Sequence, residues 1–151
     1  MRTSFGCKCY KVPLDAGFTC PNIDGTKGKG GCIYCSDVSR SVISDATFSP
    51  YEQYMNEIEI YRSKDPSCKF IPYFQSYSCT YAPLERLKSL YDEAVSYPDA
   101  VGIAIGTRAD CITNENAAYL ASLAEKLRDA EDRLSDAASD VLRLGDAFEF
   151  N

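Results

Sequence analysis

Val101-Gly102-Ile103-Ala104-Ile105-Gly106 runs directly into Thr107-Arg108-Ala109-Asp110-Cys111. The apolar run is short and nearly continuous, the pattern of a parallel strand buried on both faces. A polar loop follows it, and then Thr113 or Asn114, either of which can cap a helix. The same order occurs twice more upstream. Lys69-Phe70-Ile71-Pro72-Tyr73-Phe74-Gln75 reads as a strand leading into Gln75-Ser76-Tyr77-Ser78-Cys79. A helix starting at Pro83 comes next, with Leu84, Leu87, Leu90, Tyr91 and Ala94 as its apolar stripe. Pro72 has no N–H for a ladder, which weakens the strand reading or places the strand at an edge. The first unit begins with a strand over Tyr10–Leu14 and continues through a glycine-rich loop. Its helix has Ser49 as N-cap and Pro50 at the first position. Tyr51, Tyr54, Met55, Ile58 and Tyr61 or Arg62 form the stripe of that helix, which should stop near Lys64-Asp65-Pro66.

Strand, loop and helix repeated three times predict an α/β fold with a parallel sheet. Functional loops of such sheets lie at the carboxyl ends of the strands, so three loops are expected on one face. Residues 1–116 read as this core. Residues 117–151 read as a long amphipathic acidic helix with a short tail. In it Leu120, Leu127, Leu134 and Val141 are seven apart, with Leu123, Ala130, Ala137 and Leu144 between them. That heptad pattern predicts either a surface helix packing on the sheet or a self-association seam.

At 151 residues the chain is expected to be one domain. Residues 1–80 carry nine basic and eight acidic side chains, a balance of +1; residues 81–151 carry seven and fourteen, a balance of −7. An acidic half argues against wrapping nucleic-acid phosphates by bulk electrostatics. The chain has no run of 18 apolar residues and no apolar h-region near Met1, so neither a membrane span nor a secretory signal is expected, and a cytoplasmic location is. There are eight cysteines and no histidine. Reduced cytosolic thiols make a disulfide framework the weaker reading and metal or cluster ligation the stronger one. The lack of histidine removes Ser-His-Asp and Cys-His catalysis and every His-containing zinc site.

Three of the cysteines, Cys20, Cys32 and Cys35, share the loop after the first strand, a segment spanning residues 17–36. Eleven residues separate the first two and two separate the last pair. Three thiolates on one loop fit a metal or cluster with one position left open. A closed zinc site would need a fourth ligand, for which Cys7 or Cys9 is near. An iron–sulfur cluster would need none.

Asp15-Ala16-Gly17-Phe18-Thr19-Cys20-Pro21-Asn22, Asp24-Gly25-Thr26 and Gly31-Cys32-Ile33-Tyr34-Cys35 together resemble the cluster loop of radical S-adenosylmethionine (SAM) proteins. The likeness is greatest to an uncharacterised bacterial family related to the catalytic subunit of elongator. Tyr73–Tyr77, Thr80–Glu85 and Gly106–Cys111 are similar to further segments of that family, so the resemblance covers roughly residues 5–125. It implies that Cys20, Cys32 and Cys35 hold three irons of a 4Fe–4S cluster and that the fourth iron chelates SAM. An external electron donor would reduce the cluster, and SAM would be cleaved to methionine and a 5′-deoxyadenosyl radical. The resemblance sets Tyr34 near the adenine, Gln75 and Ser76 near the methionyl amine, and Arg108 against a carboxylate. Each has a rival reading: Tyr34 as an apolar lid, Gln75 and Ser76 as strand-end polar residues, and Arg108 as the partner of Asp110. Cys79 and Cys111 read more readily as buried inert thiols than as ligands.

A radical SAM core is a partial TIM-type barrel of about six βα units. With about three units, an incomplete barrel is expected, its missing half or a second copy being the implied partner. The related elongator subunit acts on tRNA, but no strong basic surface supports an RNA substrate here. The competing function is a non-catalytic metal or iron–sulfur binding chain that uses its acidic helix to associate with a partner.

Overall fold

The computed structural model describes residues 8–33 and 47–129. Cys7, Tyr34, Cys35 and the heptad positions from Ala130 onward lie outside the described residues. Three strands form one parallel sheet in the order β1 (Cys9–Leu14), β2 (Lys69–Phe74), β3 (Ala104–Ile105). Helix α1 (Pro50–Arg62) connects β1 to β2, and α2 (Leu84–Ala94) connects β2 to β3. Helix α3 covers residues 114–129. The α/β class and the three βα units therefore stand as expected.

Two expectations about the strands need correction. Pro72 lies in the central strand, opposite Val12 of β1, rather than at an edge. The backbone shows how the sheet accommodates it. Phe70 N–H donates to Asp99 O, Phe70 O accepts from Val101 N–H, and Phe74 O accepts from Gly106 N–H, each at 2.7–3.0 Å. Backbone groups in a parallel ladder alternate sides, so Pro72, two residues from each phenylalanine, also faces β3. Its missing N–H falls where the β2–β3 ladder breaks. Paired residues are 30 apart at Phe70–Ala100 and 31 apart at Tyr73–Ala104, so one extra residue is accommodated on the β3 side, as in a bulge. The second correction concerns Val101–Gly106. Only Ala104–Ile105 pair as a strand, and the whole run is half-buried instead of buried on both faces. Among the described residues β3 is the outermost strand, so one of its edges has no described neighbour.

The core sits on one face of the sheet. Register places Val12, Leu14, Phe70, Phe74 and Ile105 on the same side. Tyr54 and Ile58 of α1, Leu87, Tyr91 and Ala94 of α2, and Tyr119 and Leu123 of α3 all pack into the same cluster. Ring contacts fix both crossings: Tyr54 meets Phe70 edge-on at 6.1 Å, and Tyr91 meets Phe74 at 5.0 Å. On the opposite face Lys11 is exposed and lies over the Tyr73 ring.

The helix caps follow the sequence. Ser49 and Glu52 form a reciprocal capping box with Pro50 in the first turn, and the helix ends at Arg62. Thr113 caps α3: its Oγ1 accepts from Asn116 N–H at 3.2 Å, while Asn116 Oδ1 accepts from Thr113 N–H at 2.9 Å. On α1 the stripe differs from expectation. Tyr51 is 42% exposed, and the buried place is taken by Gln53. In α3 Leu123 is buried, and Leu120 and Leu127 line a groove with Ile103 and Ile105. The described start of the heptad pattern thus faces β3. Among the described residues no helix is long and apolar enough to cross a membrane.

Candidate functional site

The first strand ends where Asp15 folds back on itself. Its Oδ1 accepts from Gly17 N–H at 2.8 Å, and Gly17 takes a φ of 65°, which glycine adopts without a Cβ penalty. Gln53 of α1 holds this turn from behind. Its Oε1 accepts from Asp15 N–H, and its Nε2 donates to Asp15 O and to Phe48 O, all at 2.8 Å. Arg86 of α2 holds it from the side, donating to Ala16 O and Gly17 O and lying over the Phe18 ring.

The cysteine loop then organises itself through its backbone. Cys20 O accepts from Ile23 and Asp24, Pro21 O from Lys27 and Gly28, and Asn22 O from Gly31 at 3.0 Å. That last bond joins the two ends of the excursion between Cys20 and Cys32. Cys20 is buried and Cys32 half-buried, while Ile33 is fully exposed. The Asn22 amide reaches forward and donates Nδ2–H to Cys32 Sγ at 3.1 Å.

The three strand-end loops meet on one face, as the parallel order requires. Ser78 N–H donates to Thr19 O at 3.2 Å, and Cys79 N–H to Gly106 O at 3.0 Å. A hydroxyl network joins the second loop to the third. Thr80 Oγ1 lies 2.6 Å from Thr107 Oγ1 and donates to Cys111 O at 2.8 Å, and Arg108 N–H donates to Ser78 Oγ at 3.2 Å. Asn116 of α3 closes it by donating Nδ2–H to Cys111 O. A Cβ at Gly106 would meet Phe74 O at 3.2 Å, so a side chain there fits only if that backbone gives by a few tenths of an ångström.

Arg108 is the hub. Its Nε and Nη2 grip both oxygens of Asp110 at 2.8 Å, and Nη1 points to Cys32 Sγ at 3.7 Å. Lys27, at the tip of the cysteine loop, donates to the same carboxylate at 2.7 Å. Hydrogen bonds from Arg108 and Lys27 hold the Asp110 carboxyl well below the usual carboxylate range. Arg108 binds its proton more tightly than usual, through its hydrogen bonds to Asp110. The two-pronged grip expected toward a ligand carboxylate is thus made on Asp110. Gln75 is exposed at the end of β2, and Ser76 beside it is buried. The next residue, Tyr77, has a φ of 66°, a conformation uncommon for a bulky side chain. Cys79 is buried, its thiol pushed up to about 12 by burial, which suits an inert core thiol. A cavity of about 570 Å³ opens beside Asp110, walled by Tyr81, Pro83, Leu84, Cys111 and Asn116.

Asn22 and Arg108 thus both direct N–H donors at the Cys32 sulfur, while Cys20 is buried on the same loop. Among the described residues no group of three His, Cys, Asp or Glu side chains could hold a metal. The motif's third member, Cys35, is outside them, as is Tyr34. From sequence, Asp110 enters only as a rival partner for Arg108, and Asn22, Gln53 and Asn116 carry no assigned site role. A signal existed for two: Asn22 follows Cys20-Pro21 directly, and Asn116 stands three residues after Thr113, at the reciprocal capping position.

No family model matches the chain, and no solved structure does. The chain is 39% identical over 127 residues to uncharacterised protein YtqA of Bacillus subtilis, covering 83% of this chain and 39% of that protein. It is 38% identical over 109 residues to protein YhcC of Escherichia coli, covering 72% of this chain and 34% of the relative. Uncharacterised protein MJ0486 of Methanocaldococcus jannaschii is 35% identical over 128 residues, 83% of this chain and 38% of its own length. The chain therefore spans about two fifths or less of the curated proteins it matches.

Proposed function

We propose that this chain is a radical SAM iron–sulfur protein, binding a 4Fe–4S cluster through Cys20, Cys32 and Cys35 and SAM at the open iron. The observation that carries the reading is the convergence on Cys32: Asn22 and Arg108 both aim N–H donors at its sulfur. N–H donors of this kind match an anionic, metal-bound sulfur better than a neutral thiol, which is a weak acceptor. When bound and reduced, such a cluster supplies the electron that splits SAM to a 5′-deoxyadenosyl radical. The chain's own residues do the rest. Gln53 and Arg86 fix the start of the cysteine loop, the bond from Gly31 to Asn22 closes it, and Lys27 and Asp110 hold Arg108 against the sulfur. Gln75 and Ser76 stand at the end of β2, where they can take the SAM amine. With its grip spent on Asp110, Arg108 acts on the sulfur side of the site, and its role toward a SAM carboxylate becomes the weaker part of the assignment. All three helices pack on one face of the sheet, which supports reading it as part of a barrel wall.

A second reading keeps the cluster but not turnover, with the chain completing its site against a further polypeptide or a second copy. The half-buried Ile103 and Ile105 of β3 favour it. RNA remains an unsupported substrate. The test is anaerobic reconstitution with iron and sulfide, followed by metal analysis and visible spectra with and without SAM. About four irons per chain and a spectral change on adding SAM are expected. One zinc per chain and no iron uptake would overturn the proposal. Formation of 5′-deoxyadenosine by the reduced, loaded protein separates the first reading from the second.

A further inference from the structure

Two N–H groups from distant parts of the chain address one sulfur. Asn22 Nδ2 lies 3.1 Å from Cys32 Sγ, and Arg108 Nη1 lies 3.7 Å from it. Neither donor is loosely held. Asn22 is pinned by its own backbone, whose C=O accepts from Gly31 N–H. Arg108 is pinned at three points: both Asp110 oxygens take its Nε and Nη2, and its backbone N–H is bonded to Ser78 Oγ. Lys27 neutralises the second half of the job, because its ammonium also binds Asp110. The carboxylate therefore steers the guanidinium while its own negative charge is offset, leaving net positive charge beside the sulfur.

Hydrogen bonds to cluster sulfurs and local charge are among the factors that set a cluster's reduction potential. A reduced cluster carries one more negative charge than an oxidised one. Donors and a cation at a ligating sulfur stabilise that extra charge and raise the potential. We infer that Asn22 and Arg108 are positioning residues that raise the reduction potential of the metal group held at Cys32. Lys27 and Asp110 serve as the buttress that keeps Arg108 in place. The inference rests on the cluster reading above, and it adds which residues regulate that site.

The test uses the full chain, reconstituted anaerobically as wild type, Asn22→Ala, Arg108→Met and Arg108→Lys. Iron content and the visible spectrum are measured for each, and then the midpoint potential by EPR-monitored titration with dithionite and mediators. Arg108→Met keeps length and packing without charge or donors. Asn22→Ala and Arg108→Met are expected to retain iron and to shift the midpoint negative by at least a tenfold change in the one-electron equilibrium, about 59 mV. Arg108→Lys should fall between them and wild type. Full iron loading with an unmoved midpoint in both variants would overturn this inference and leave the cluster reading intact. No iron uptake by wild type would overturn both. Iron lost from Asn22→Ala and Arg108→Met, with Arg108→Lys loaded at the wild-type potential, would mean that the two residues only build the loop, and would also overturn it.

Discussion

Gln53 is the residue on which the position of the cysteine loop most depends, and its removal is the sharpest test of the packing argument. One amide side chain satisfies three backbone groups: Asp15 N–H, Asp15 O and Phe48 O. Its orientation has one solution, since two carbonyls need the NH₂ end and one N–H needs the oxygen. Gln53→Ala leaves two groups of the buried Asp15 without partners, while water can reach the carbonyl of the exposed Phe48. At roughly 1–3 kcal/mol per stranded buried group, the loss should be about 2–6 kcal/mol. That is a large part of the roughly 5–15 kcal/mol that holds a typical domain. Gln53→Glu separates hydrogen bonding from size. The new carboxylate can still accept from Asp15 N–H, but it faces two carbonyl oxygens with nothing to donate. Its folded-state pKa is therefore raised above its unfolded value, so stability is recovered below the unfolded pKa and lost as pH rises. Urea unfolding of wild type and both variants at pH 7 and pH 5 reads both effects. The Gln53→Glu deficit should be at least that of alanine at pH 7 and should narrow at pH 5. A Gln53→Ala loss under about 1 kcal/mol, or a Gln53→Glu deficit that widens on acidification, would refute the three-bond account.

The hydroxyl network predicts that Thr80→Val, which keeps shape but removes the bonds to Thr107 and Cys111 O, costs about 1–3 kcal/mol. Differential scanning calorimetry should show a drop of about 2–4 °C per kcal/mol, with Thr80→Ser close to wild type. Cys79, its thiol pushed up to about 12, should react with iodoacetamide at pH 8.5 about a thousandfold more slowly than a free thiol, and at the normal rate in denaturant. Fast native labelling, mapped by peptide mass spectrometry, would contradict its burial. Burial also holds the Tyr54 and Tyr91 hydroxyls well above the usual range and pushes Tyr119 up to about 12. These groups and Cys79 are all raised in the folded state. Their contribution is full below about pH 8 and is lost as pH climbs toward 12, because only the unfolded chain releases protons there. The urea midpoint should fall steadily from pH 8.5 to 11; a flat profile would mean that these side chains are not held neutral by the core.

The strands and helices were legible where local physics decides them. Ser49, Pro50 and Glu52 start α1 through bonds within one turn, and Thr113 starts α3 the same way. What stayed illegible depends on neighbours far along the chain. Pro72 reads as an edge signal, yet the cost of its missing N–H depends on which side that group faces and on whether the adjacent strand is regular there. β3 is bulged at that point, and no local pattern announces it. The half-burial of Val101–Gly106 has the same origin, since apolar composition cannot say whether a further strand lies alongside. In the site the cysteines are visible by spacing, whereas Gln53 and Asn116 are amides with no periodic signature whose partners lie in other elements. Arg108 reads as a two-pronged donor, but the sequence cannot show that Lys27, 81 residues away, also contacts the Asp110 carboxylate it grips.

The eleven-residue gap between Cys20 and Cys32 looks like an obstacle to bringing the two ends of the loop together, and the geometry turns it into a support. Loop closure costs entropy that grows only slowly with length, so what matters is whether the base is fixed. The Gly31 N–H to Asn22 O bond fixes it, and Gly30 and Gly31, with φ of 82° and 83°, allow the return turn. Beyond that base the excursion is free to do something else. Thr26 reaches the Tyr81 hydroxyl at 3.0 Å in the second loop, and Lys27 reaches Asp110 in the third. The inserted residues thus tie the cysteine loop to both neighbouring strand ends, and the tie to Asp110 is the one that aims Arg108 back at Cys32. The length of the gap and the placement of the arginine are therefore parts of one arrangement, in which the segment between the two cysteines also sets the charge beside Cys32.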